Sequence, residues 1–441
     1  MEDAYVIRGG NVLKGEVTLS GAKNVALKAI IGALLFDSKV AFYNVPRIND
    51  VIELIHLIRK LGGRAEFIDT NTLEIDGKNL KSNRVDLLHA SKIRVSFMLF
   101  APLLHRFGEC YIPNPGGCRI GERSIARITK GMRSLGIKVA YDSKNGYYKA
   151  TMPNVPKGSY KFEKQTHTGT ELLILLSVFG KNKIVITNTA LEPEIDWLIS
   201  FLNRAGARIV RKGKTIRIEG VTQLVQKTPY RIPSDRNEAV TFAILGITSK
   251  GDVTVGPISA DVLKAFIEKV RQTGVGIEKL KNNRIRFFYK SQIKPVSVAT
   301  SGYPGFMTDW QSNWAVLMTQ AEGESVIHER VFEGRFGYVG ELRKLGAEIE
   351  FIERKLSNPE KFYLFNYEKR RNYRQAIKIK GPKALHNGVL QVTDLRAGAT
   401  LAIASLIANG ESIVEGASIF ERGYENFPEK ITALGGNIKK V

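Results

Sequence analysis

Residues 113–123 combine a cysteine and arginines with residues that give the main chain unusual freedom. The stretch reads Pro-Asn-Pro-Gly-Gly-Cys-Arg-Ile-Gly-Glu-Arg. Because proline lacks a main-chain donor and glycine lacks a side chain to pack, we expect a loop that can approach a ligand closely. Arg119 and Arg123 follow Cys118, and positive neighbours favour a reactive thiolate. A surface loop with an incidental thiol fits the local residues equally well.

Three further stretches place a charged residue just before an apolar run. Lys23, in Ser-Gly-Ala-Lys-Asn, is suited to hold an anion at a helix start, although a solvated lysine is the commoner role there. Asp309, in Tyr-Pro-Gly-Phe-Met-Thr-Asp, could be a general base or simply a helix N-cap. Arg396, in Thr-Asp-Leu-Arg-Ala-Gly-Ala, could grip a phosphate or carboxylate with its fork of donors. Arg335 and Arg422 lie in two more turn-like stretches, Phe-Glu-Gly-Arg-Phe and Glu-Arg-Gly-Tyr-Glu.

The elements that must position these residues follow one repeated pattern. Six times an amphipathic run with apolar residues at helical spacing, such as Leu54, Ile58 and Leu61, ends at a glycine and continues into a short strand. The marker glycines are Gly62, Gly136, Gly206, Gly274, Gly346 and Gly435. A nearly all-apolar helix, predicted to be buried, precedes each unit. The pattern predicts six helix–strand–helix–strand units in two domains. Residues 354–374, basic and aromatic, interrupt the last interval and are predicted to form a solvated insertion, either a loop or a hairpin.

Composition narrows the class of protein and the nature of its partners. The chain has 441 residues, enough for more than one domain, and its formal net charge is +23, which favours an anionic partner: nucleic acid, a membrane surface or a polyanionic small molecule. No apolar run is long enough to span a bilayer, and the N-terminus does not resemble a signal peptide. Cys110 and Cys118 are the only thiols, too few for a disulfide framework, so we expect a cytoplasmic protein.

The order of the motifs is more specific than any one of them. SGAKN, PGGCRIGER, YPGFMTD, FEGRF, TDLRAGA and ERGYE follow one another in the order of the UDP-N-acetylglucosamine enolpyruvyl transferase family, which the chain resembles over nearly its whole length. This family belongs to the EPSP synthase superfamily. The resemblance implies an α/β fold, a two-domain inside-out α/β barrel built from six βαβαββ-type units. It implies one domain of residues 24–232, with the Cys118 loop, and a second of residues 1–23 plus 233–441, with Asp309 and Arg396.

The resemblance also implies an activity and a role for each matching residue. The enolpyruvyl group of phosphoenolpyruvate moves to the 3′-hydroxyl of UDP-N-acetylglucosamine and phosphate is released, the first committed step of peptidoglycan synthesis, with no metal or cofactor. Cys118 is expected to be the general acid and Asp309 the base, with Lys23 also catalytic. The residues expected to bind phosphoenolpyruvate are Lys23, Asn24, Arg123, Arg396 and Arg422. Those expected to bind the nucleotide-sugar are Arg94, Arg123, Ser124, Ile125, Ala126, Arg127, Lys164, Thr166, Asp309 and Val331. Arg335 and Asp394 are expected to support the site.

Several features leave alternatives open. The family usually has an aspartate and a histidine where this chain has Ala126 and Ile128, and His167 is atypical, so a paralogue with a different nucleotide-sugar acceptor is the nearest alternative. The sister enzyme EPSP synthase lacks the catalytic cysteine, so Cys118 argues against it. The charge motivates a nucleic-acid-binding protein, but only residues 362–374 cluster cations with aromatics. We expect a monomer or weak homo-oligomer, and a thiol at position 118 that the epoxide antibiotic fosfomycin alkylates.

Overall fold

Short strands and helices alternate along the chain in the computed structural model, which describes residues 3–118 and 120–441. Arg119, in the cysteine loop, lies outside the described residues. The strands are β1 Ala4–Arg8, β2 Lys14–Thr18, β3 Val40–Tyr43, β4 Arg64–Phe67, β5 Leu73–Asp76, β6 Glu109–Pro113, β7 Lys138–Asp142, β8 Tyr147–Thr151, β9 Ser159–Lys161, β10 Lys183–Thr187, β11 Arg208–Lys212, β12 Thr215–Glu219, β13 Tyr230–Arg231, β14 Asp252–Gly256, β15 Gly276–Leu280, β16 Arg284–Phe288, β17 Val298–Ala299, β18 Gly323–His328, β19 Glu348–Phe351, β20 Ala376–Gly381, β21 Val389–Gln391, β22 Glu411–Glu415 and β23 Asn437–Lys440.

The α-helices are α1 Lys23–Ala33, α2 Asn49–Lys60, α3 Leu87–Lys92, α4 Phe100–Phe107, α5 Ala126–Ser134, α6 His167–Ser177, α7 Pro193–Arg204, α8 Arg236–Thr248, α9 Lys264–Gln272, α10 Gln311–Thr319, α11 Tyr338–Lys344, α12 Pro359–Phe362, α13 Leu395–Ile407, α14 Ala417–Phe420 and α15 Phe427–Ala433. Short 3-10 segments at Arg94–Leu99, Ala260–Leu263 and Thr308–Trp310 lead into α4, α9 and α10. No helix among the described residues has both the length and the apolar composition to cross a membrane.

The marker glycines end amphipathic helices, as the periodicity predicts. Helix α2 buries Val51, Leu54 and Ile58 on one face, and Gly62 follows its last residues with φ of 93°. All six marker glycines have φ between 84° and 103°, in the left-handed region that a side chain disfavours. The predicted repeat of buried helix, strand, amphipathic helix and strand is therefore confirmed.

Contacts divide the chain into two units. Unit 1 comprises Met1–Ser20, Cys118–Arg123 and Ser234–Val441, and unit 2 comprises Gly21–Gly117 and Ser124–Pro233. This division differs from the expected ranges in two places. The first is Cys118–Arg123, which was expected to stay with residues 24–232. The segment instead contacts unit 1, where Gly334 N–H donates to the Ile120 carbonyl over 3.2 Å. Residues 21–23 likewise group with unit 2, where Ala22 N–H donates to the Pro233 carbonyl.

Three sheets surround buried helices in unit 1. Their strand orders are β15-β16-β14-β2, β17-β18-β20-β19 and β21-β22-β1-β23, and each has one parallel edge pair with antiparallel neighbours. All of α8 and α10 and nearly all of α13 are buried, whereas strands such as β22 alternate buried and exposed residues. Helices inside and sheets with one solvated face are the inside-out arrangement expected from the resemblance, so the predicted fold class is confirmed.

A buried polar chain joins the three central helices of unit 1. The Asn313 amide, on α10, donates to Thr241 on α8 over 2.9 Å, and Thr400 on α13 donates to the Asn313 carbonyl oxygen over 2.8 Å. Each helix therefore contributes one residue to this chain of hydrogen bonds. Unpaired polar groups are costly inside a protein. These hydrogen bonds therefore favour the packing arrangement of the three helices in which both bonds form.

Unit 2 repeats the plan with sheets β13-β3-β5-β4, β6-β8-β7 and β11-β12-β10-β9 around α1, α4 and α6. The sheet of β6, β7 and β8 has only a single parallel bridge, Arg84 with Tyr111, where the other sheets have a parallel edge strand. At the centre of unit 2, Glu171 pairs with Lys28 and His167. Burial by itself would lower the pKa of His167, but the charge of Glu171 outweighs it and raises that pKa.

The insertion, residues 354–374, is not the fully solvated excursion that was expected. It contains the short helix α12, and its Tyr363 and Phe365 are only 6% and 5% exposed. The rings pack on one another and on His328 at the end of β18. Apolar area removed from water holds this segment against unit 1 even though its charged residues remain exposed.

Candidate active site

A carboxylate and two arginines form the centre of the candidate site in unit 1. Arg335 Nη2 donates to Asp309 Oδ1 over 2.8 Å, and Arg396 Nη2 donates to Asp309 Oδ2 over 3.2 Å. Both arginine side chains are 5% exposed, whereas 22% of the Asp309 side chain is exposed. Both carboxylate oxygens therefore accept from guanidiniums, which contradicts the simpler interpretation of Asp309 as a helix cap.

The neighbouring residues hold Asp309 in place. It lies in the 3-10 segment Thr308–Trp310, whose Trp310 indole N–H donates to Asn237 over 3.0 Å. On the other side, the Thr308 hydroxyl donates to the buried carboxylate of Glu329 over 2.8 Å. Burial raises the pKa of Glu329 in spite of the charge of Arg335. The aspartate is thus positioned by residues that sequence reasoning did not single out.

The charge state of Asp309 follows from its surroundings. Burial alone would raise the pKa of its carboxyl, but the charges of Arg396 and Arg335 and their hydrogen bonds outweigh burial and hold that pKa well below its usual range. Asp309 is therefore an anion at neutral pH, and it can take up a proton only when its arginine contacts change.

Arg396 is fixed at the start of a buried helix. The Asp394 side chain caps α13 and accepts from the main-chain N–H of Arg396 over 2.9 Å. The second arm of the guanidinium, Nη1, donates to the Tyr424 hydroxyl over 3.2 Å. Burial raises the pKa of Tyr424, so this hydroxyl is neutral. Arg396 contacts the Asp309 carboxylate directly and also interacts electrostatically with Asp235.

The cysteine loop places a thiol and Arg123 close to Arg422 in unit 1. Arg422 Nη1 lies 3.5 Å from Cys118 Sγ, and Arg123 Nη1 donates to the Cys118 carbonyl over 3.5 Å. Arg123 has φ of 48°, a left-handed conformation that is uncommon outside glycine and marks a constrained turn. Burial lowers the pKa of Arg123, which also interacts electrostatically with Cys118, Arg422, Arg335 and Asp309. The thiol, the carboxylate and four guanidiniums therefore share one electrostatic environment.

The base of the same loop belongs to unit 2. Gly117 N–H donates to the Ser91 carbonyl over 3.3 Å, and Arg94 Nη1 donates to the Pro115 carbonyl over 3.3 Å. A Cβ on Gly116 would lie 1.5 Å from the Ser91 oxygen, so a side chain there would displace the loop. The glycine is required because main chain approaches main chain at this point.

Lys23 is also in unit 2 and begins α1, as the sequence predicts. Its Nζ lies 2.6 Å from Asp50 Oδ2, in the first turn of α2, and the two side chains are 10% and 6% exposed. Asn24 follows it and is half-buried. The sequence contained no signal for Asp50, because its pairing depends on how α1 and α2 pack.

Six further residues expected at the nucleotide-sugar lie around the starts of α5 and α6: Ser124, Ile125, Ala126, Arg127, Lys164 and Thr166. Ser124 Oγ accepts from Ala126 N–H over 3.2 Å, and Thr166 caps α6 by accepting from Gly169 N–H over 3.3 Å. Helices α5 and α6 pack together here, since a Cβ on Gly169 would lie 2.5 Å from Thr166 and 3.1 Å from Ile128.

Exposure differs among these residues. Ile125 and Ile128 are buried in the core of unit 2, so their side chains are not accessible to a ligand. Ala126 is exposed, and Arg127 and Lys164 are half-buried. In unit 1, Val331 is half-buried, and its N–H donates to Glu329 Oε1 over 2.7 Å.

Within the part of the chain that the structure describes, no group of three or more His, Cys, Asp or Glu side chains is arranged to hold a metal ion. Cys110 and Cys118 are both free thiols. Burial and the neighbouring Glu109 raise the pKa of Cys110, which is in the core. Cys118, half-buried, is thus the thiol that is available for chemistry.

Comparison with solved structures bears on the fold. The enolpyruvyl transferase NikO from Streptomyces tendae superposes with a TM-score of 0.85 over 99% of this chain and 98% of its own, at 20% identity. EPSP synthase from Acinetobacter baumannii gives a TM-score of 0.70 over 99% of both chains, at 17% identity. At these identities the likeness establishes a shared fold.

Comparison of sequences bears on the family. The family model described as EPSP synthase (3-phosphoshikimate 1-carboxyvinyltransferase) matches residues 7–431. The UDP-N-acetylglucosamine 1-carboxyvinyltransferase of Desulforapulum autotrophicum is 36% identical over 100% of both chains, and that of Halothermothrix orenii is 37% identical over 99% of both. Because the matches are full-length and the six motifs occur in order, the chain belongs to the EPSP synthase family and, within it, to the UDP-N-acetylglucosamine 1-carboxyvinyltransferases.

Proposed function

We propose that this protein transfers the enolpyruvyl group of phosphoenolpyruvate to the 3′-hydroxyl of UDP-N-acetylglucosamine and releases phosphate, as a step of peptidoglycan precursor synthesis. The full-length relatives that carry this name support the reaction. The observation that carries the proposal is the unit 1 cluster, in which a half-buried thiol and one carboxylate share an environment with four guanidiniums. Such a cluster suits a substrate that bears both a phosphate and a carboxylate.

The chemistry is an addition followed by an elimination. The sugar oxygen bonds to C2 of phosphoenolpyruvate while C3 gains a proton, which gives a tetrahedral intermediate that carries the phosphate. Loss of the C3 proton and departure of phosphate then restore the double bond. The reaction needs a proton donor, a proton acceptor and cations around the developing charges.

We assign the acceptor role to Asp309 and derive its activation from its contacts. In the structure Arg396 and Arg335 each hold one carboxylate oxygen, which makes Asp309 a poor base. A substrate carboxylate or phosphate competes for the fork of Arg396. Once Arg396 turns to the substrate, Asp309 loses one of its two positive partners, and its pKa moves back toward the ordinary range. Substrate binding thereby prepares the base.

We assign proton donation to Cys118 and anion binding to the arginines around it. Arg422 contacts the thiol and Arg123 contacts the Cys118 main chain, so both are placed to hold phosphate beside the reacting carbon. Arg396 completes this group from α13, and Arg335 and Asp394 keep Asp309 and Arg396 in position.

Residues of unit 2 complete the proposed binding sites. Lys23 is proposed to be catalytic and, with Asn24, to contact phosphoenolpyruvate. Its present partner, Asp50, balances the positive charge of the Lys23 ammonium until an anion binds. For the nucleotide-sugar we propose contacts from Arg94, Ser124, the Ile125 main chain, Ala126, Arg127, Lys164 and Thr166, together with Arg123, Asp309 and Val331.

Phosphate release from phosphoenolpyruvate, measured with and without UDP-N-acetylglucosamine, tests the function. We expect release only with the acceptor, and a loss of about 10²- to 10⁴-fold in kcat for Asp309→Asn, the range for removal of a general base. Asp252→Asn is the matched control, because it removes a carboxylate from another arginine pair in unit 1, outside the cluster. Phosphate release that ignores the nucleotide-sugar would overturn the acceptor assignment.

A different nucleotide-sugar acceptor is the second candidate. It is favoured by Ala126, which is exposed at the start of α5 where the family usually has an aspartate that binds the substrate. A panel of UDP-sugars in the same assay separates the two: a higher kcat/KM with any sugar other than N-acetylglucosamine would favour the alternative. We further propose that the reaction takes place in the cytoplasm, and that the enzyme is a monomer or a weak homo-oligomer.

A further inference from the structure

The insertion, residues 354–374, builds a ladder of aromatic rings that the reaction does not use. The rings of Tyr363 and Tyr367 stack with centroids 5.5 Å apart and planes 13° from parallel. Tyr373 lies 5.1 Å from both Tyr367 and Phe365. Tyr363 and Phe365 are buried, whereas Tyr367 and Tyr373 are half-buried, so the ladder has one accessible end.

The accessible end faces a cavity of about 210 Å³ between the insertion and neighbouring residues of unit 1. Tyr363, Tyr367 and Tyr373 line it, together with His328 and Gln375. Sites for drug-sized ligands occupy about 300–1,000 Å³. This cavity is therefore large enough for one flat ring system and too small for a whole dinucleotide.

Gln375, one of the lining residues, has a side-chain acceptor without a partner among the described residues. Its Nε2 donates to the main-chain carbonyls of Glu329 and Phe332 over 3.0 and 2.9 Å, which fixes the orientation of the amide. Its Oε1 is buried and has no hydrogen-bond partner within the described part of the chain, and the residue is 3% exposed. A buried acceptor without a donor is costly. A ligand with an N–H group would satisfy it.

The rim of the cavity is charged. Arg354 and Arg371 line it and are exposed, and among residues 3–118 and 120–441 neither has a carboxylate within ion-pair distance. Glu353 also lines the rim and offers a second acceptor. Burial and the charges of Arg354 and Arg330 lower the pKa of His328 to about 4, so this ring adds no positive charge at neutral pH. The site thus joins aromatic faces and the Gln375 acceptor inside to Glu353 and two arginines at the rim.

We propose that this cavity binds a free nucleotide whose base carries an exocyclic amino group, that is adenine, guanine or cytosine. The base lies against the tyrosines, its amino group donates to Gln375 Oε1 with Glu353 as the second acceptor, and its phosphate contacts Arg354 and Arg371. A single-stranded nucleic acid is disfavoured because the ladder presents one accessible end and the cavity accepts one base. This site is independent of the reaction proposed for Cys118 and Asp309.

Calorimetric titration of the full chain with matched nucleotide pairs tests the chemistry. AMP is compared with IMP, and CMP with UMP, each in the presence of saturating UDP-N-acetylglucosamine so that binding of uridine elsewhere is suppressed. We expect an amino-bearing nucleotide to bind roughly 5- to 150-fold more tightly than its partner, the range for a buried acceptor left unsatisfied. Equal affinities within both pairs would overturn the proposal. Displacement of the bound nucleotide by UDP-N-acetylglucosamine would also overturn it.

Variants locate the binding. Tyr367→Leu should weaken the preferred nucleotide by roughly 5- to 150-fold, the range measured for base–aromatic stacking. Arg371→Ala should weaken it and also reduce the salt dependence. Arg370→Ala removes the same charge from the neighbouring residue, which does not line the cavity, and should leave affinity unchanged. Three results would contradict the assignment. They are an equal loss of affinity in Arg370→Ala and Arg371→Ala, no loss of affinity in Tyr367→Leu, and tighter binding of a short oligoadenylate than of AMP.

Discussion

Replacing Asp309 by asparagine removes one negative charge from between two arginines and keeps the shape of the side chain. Arg335 and Arg396 are each 5% exposed, so their charges would remain in a place that water hardly reaches. Breaking a buried ion pair by removing one partner costs about 3–5 kcal/mol. Because 22% of the Asp309 side chain is exposed, we take the lower end and expect Asp309→Asn to reduce the free energy of unfolding of unit 1 by about 3 kcal/mol at pH 7.

The pH dependence of this effect has a definite sign. The pKa of Asp309 is depressed in the folded protein and is about 3.9 in the unfolded chain. Stabilisation by the carboxylate is therefore complete above the unfolded pKa and is lost as pH falls through the folded pKa. The difference in unfolding free energy between the unaltered protein and Asp309→Asn should be constant from about pH 5 to pH 8, and should shrink progressively below about pH 4.

Urea unfolding followed by tryptophan emission measures this difference. Trp310 and Trp314 are buried in unit 1, and a Trp197→Phe background removes the remaining indole, which lies in unit 2. Asp252→Asn is the control, because Asp252 pairs with Arg286 where both side chains are about a third exposed, and such pairs contribute about 0–1 kcal/mol. The two variants could instead have the same unfolding free energy at every pH. That result would refute the reasoning, because the Asp309 carboxylate beside two buried arginines would then stabilise the protein no more than the partly exposed Asp252 carboxylate does.

Three further predictions concern the thiol, the fork of Arg396 and the loop that carries the thiol. Cys118→Ala should abolish turnover without shifting the urea midpoint, and mass spectrometry should find one fosfomycin adduct on the unaltered protein and none on this variant, since Cys110 is buried and has a raised pKa. An adduct on the variant would contradict this. Arg396→Lys keeps the charge but loses the fork, so kcat/KM for phosphoenolpyruvate should fall about 10- to 100-fold, mainly through KM; a change in kcat alone would argue against direct contact. Gly116→Ala should lower activity at least about tenfold, because its Cβ would lie 1.5 Å from a main-chain oxygen, whereas Gly340→Ala, with no atom within 4 Å, should be neutral in the same assay.

The repeat and the fold class were predictable because they rest on local patterns. Apolar spacing and a following glycine are properties of about a dozen neighbouring residues, and each marker glycine has the positive φ that such a helix end requires. The starts of α1 and α13 at Lys23 and Leu395 follow from the same kind of signal. The order of six short motifs identified the family, although none of them did so alone.

The insertion shows where local reasoning failed. Its basic and aromatic composition predicted a solvated segment, but Tyr363 and Phe365 are buried. Composition could not reveal that the rings pack on one another and on His328, because His328 is distant in sequence and no periodicity marks the contact. Asp50, Glu329 and Tyr424 were missed as partners of site residues for the same reason.

The sequence by itself determined which elements form, where each helix stops and which residue types are available for chemistry, because these depend on neighbours along the chain. Only the tertiary structure decided which charges meet. Arg335 and Arg396 are 26 and 87 residues from Asp309, and Arg422 is 304 residues from Cys118. Contacts across such distances form only when the sheets and buried helices of a unit have packed, and they determine that Asp309 is an anion held by two arginines.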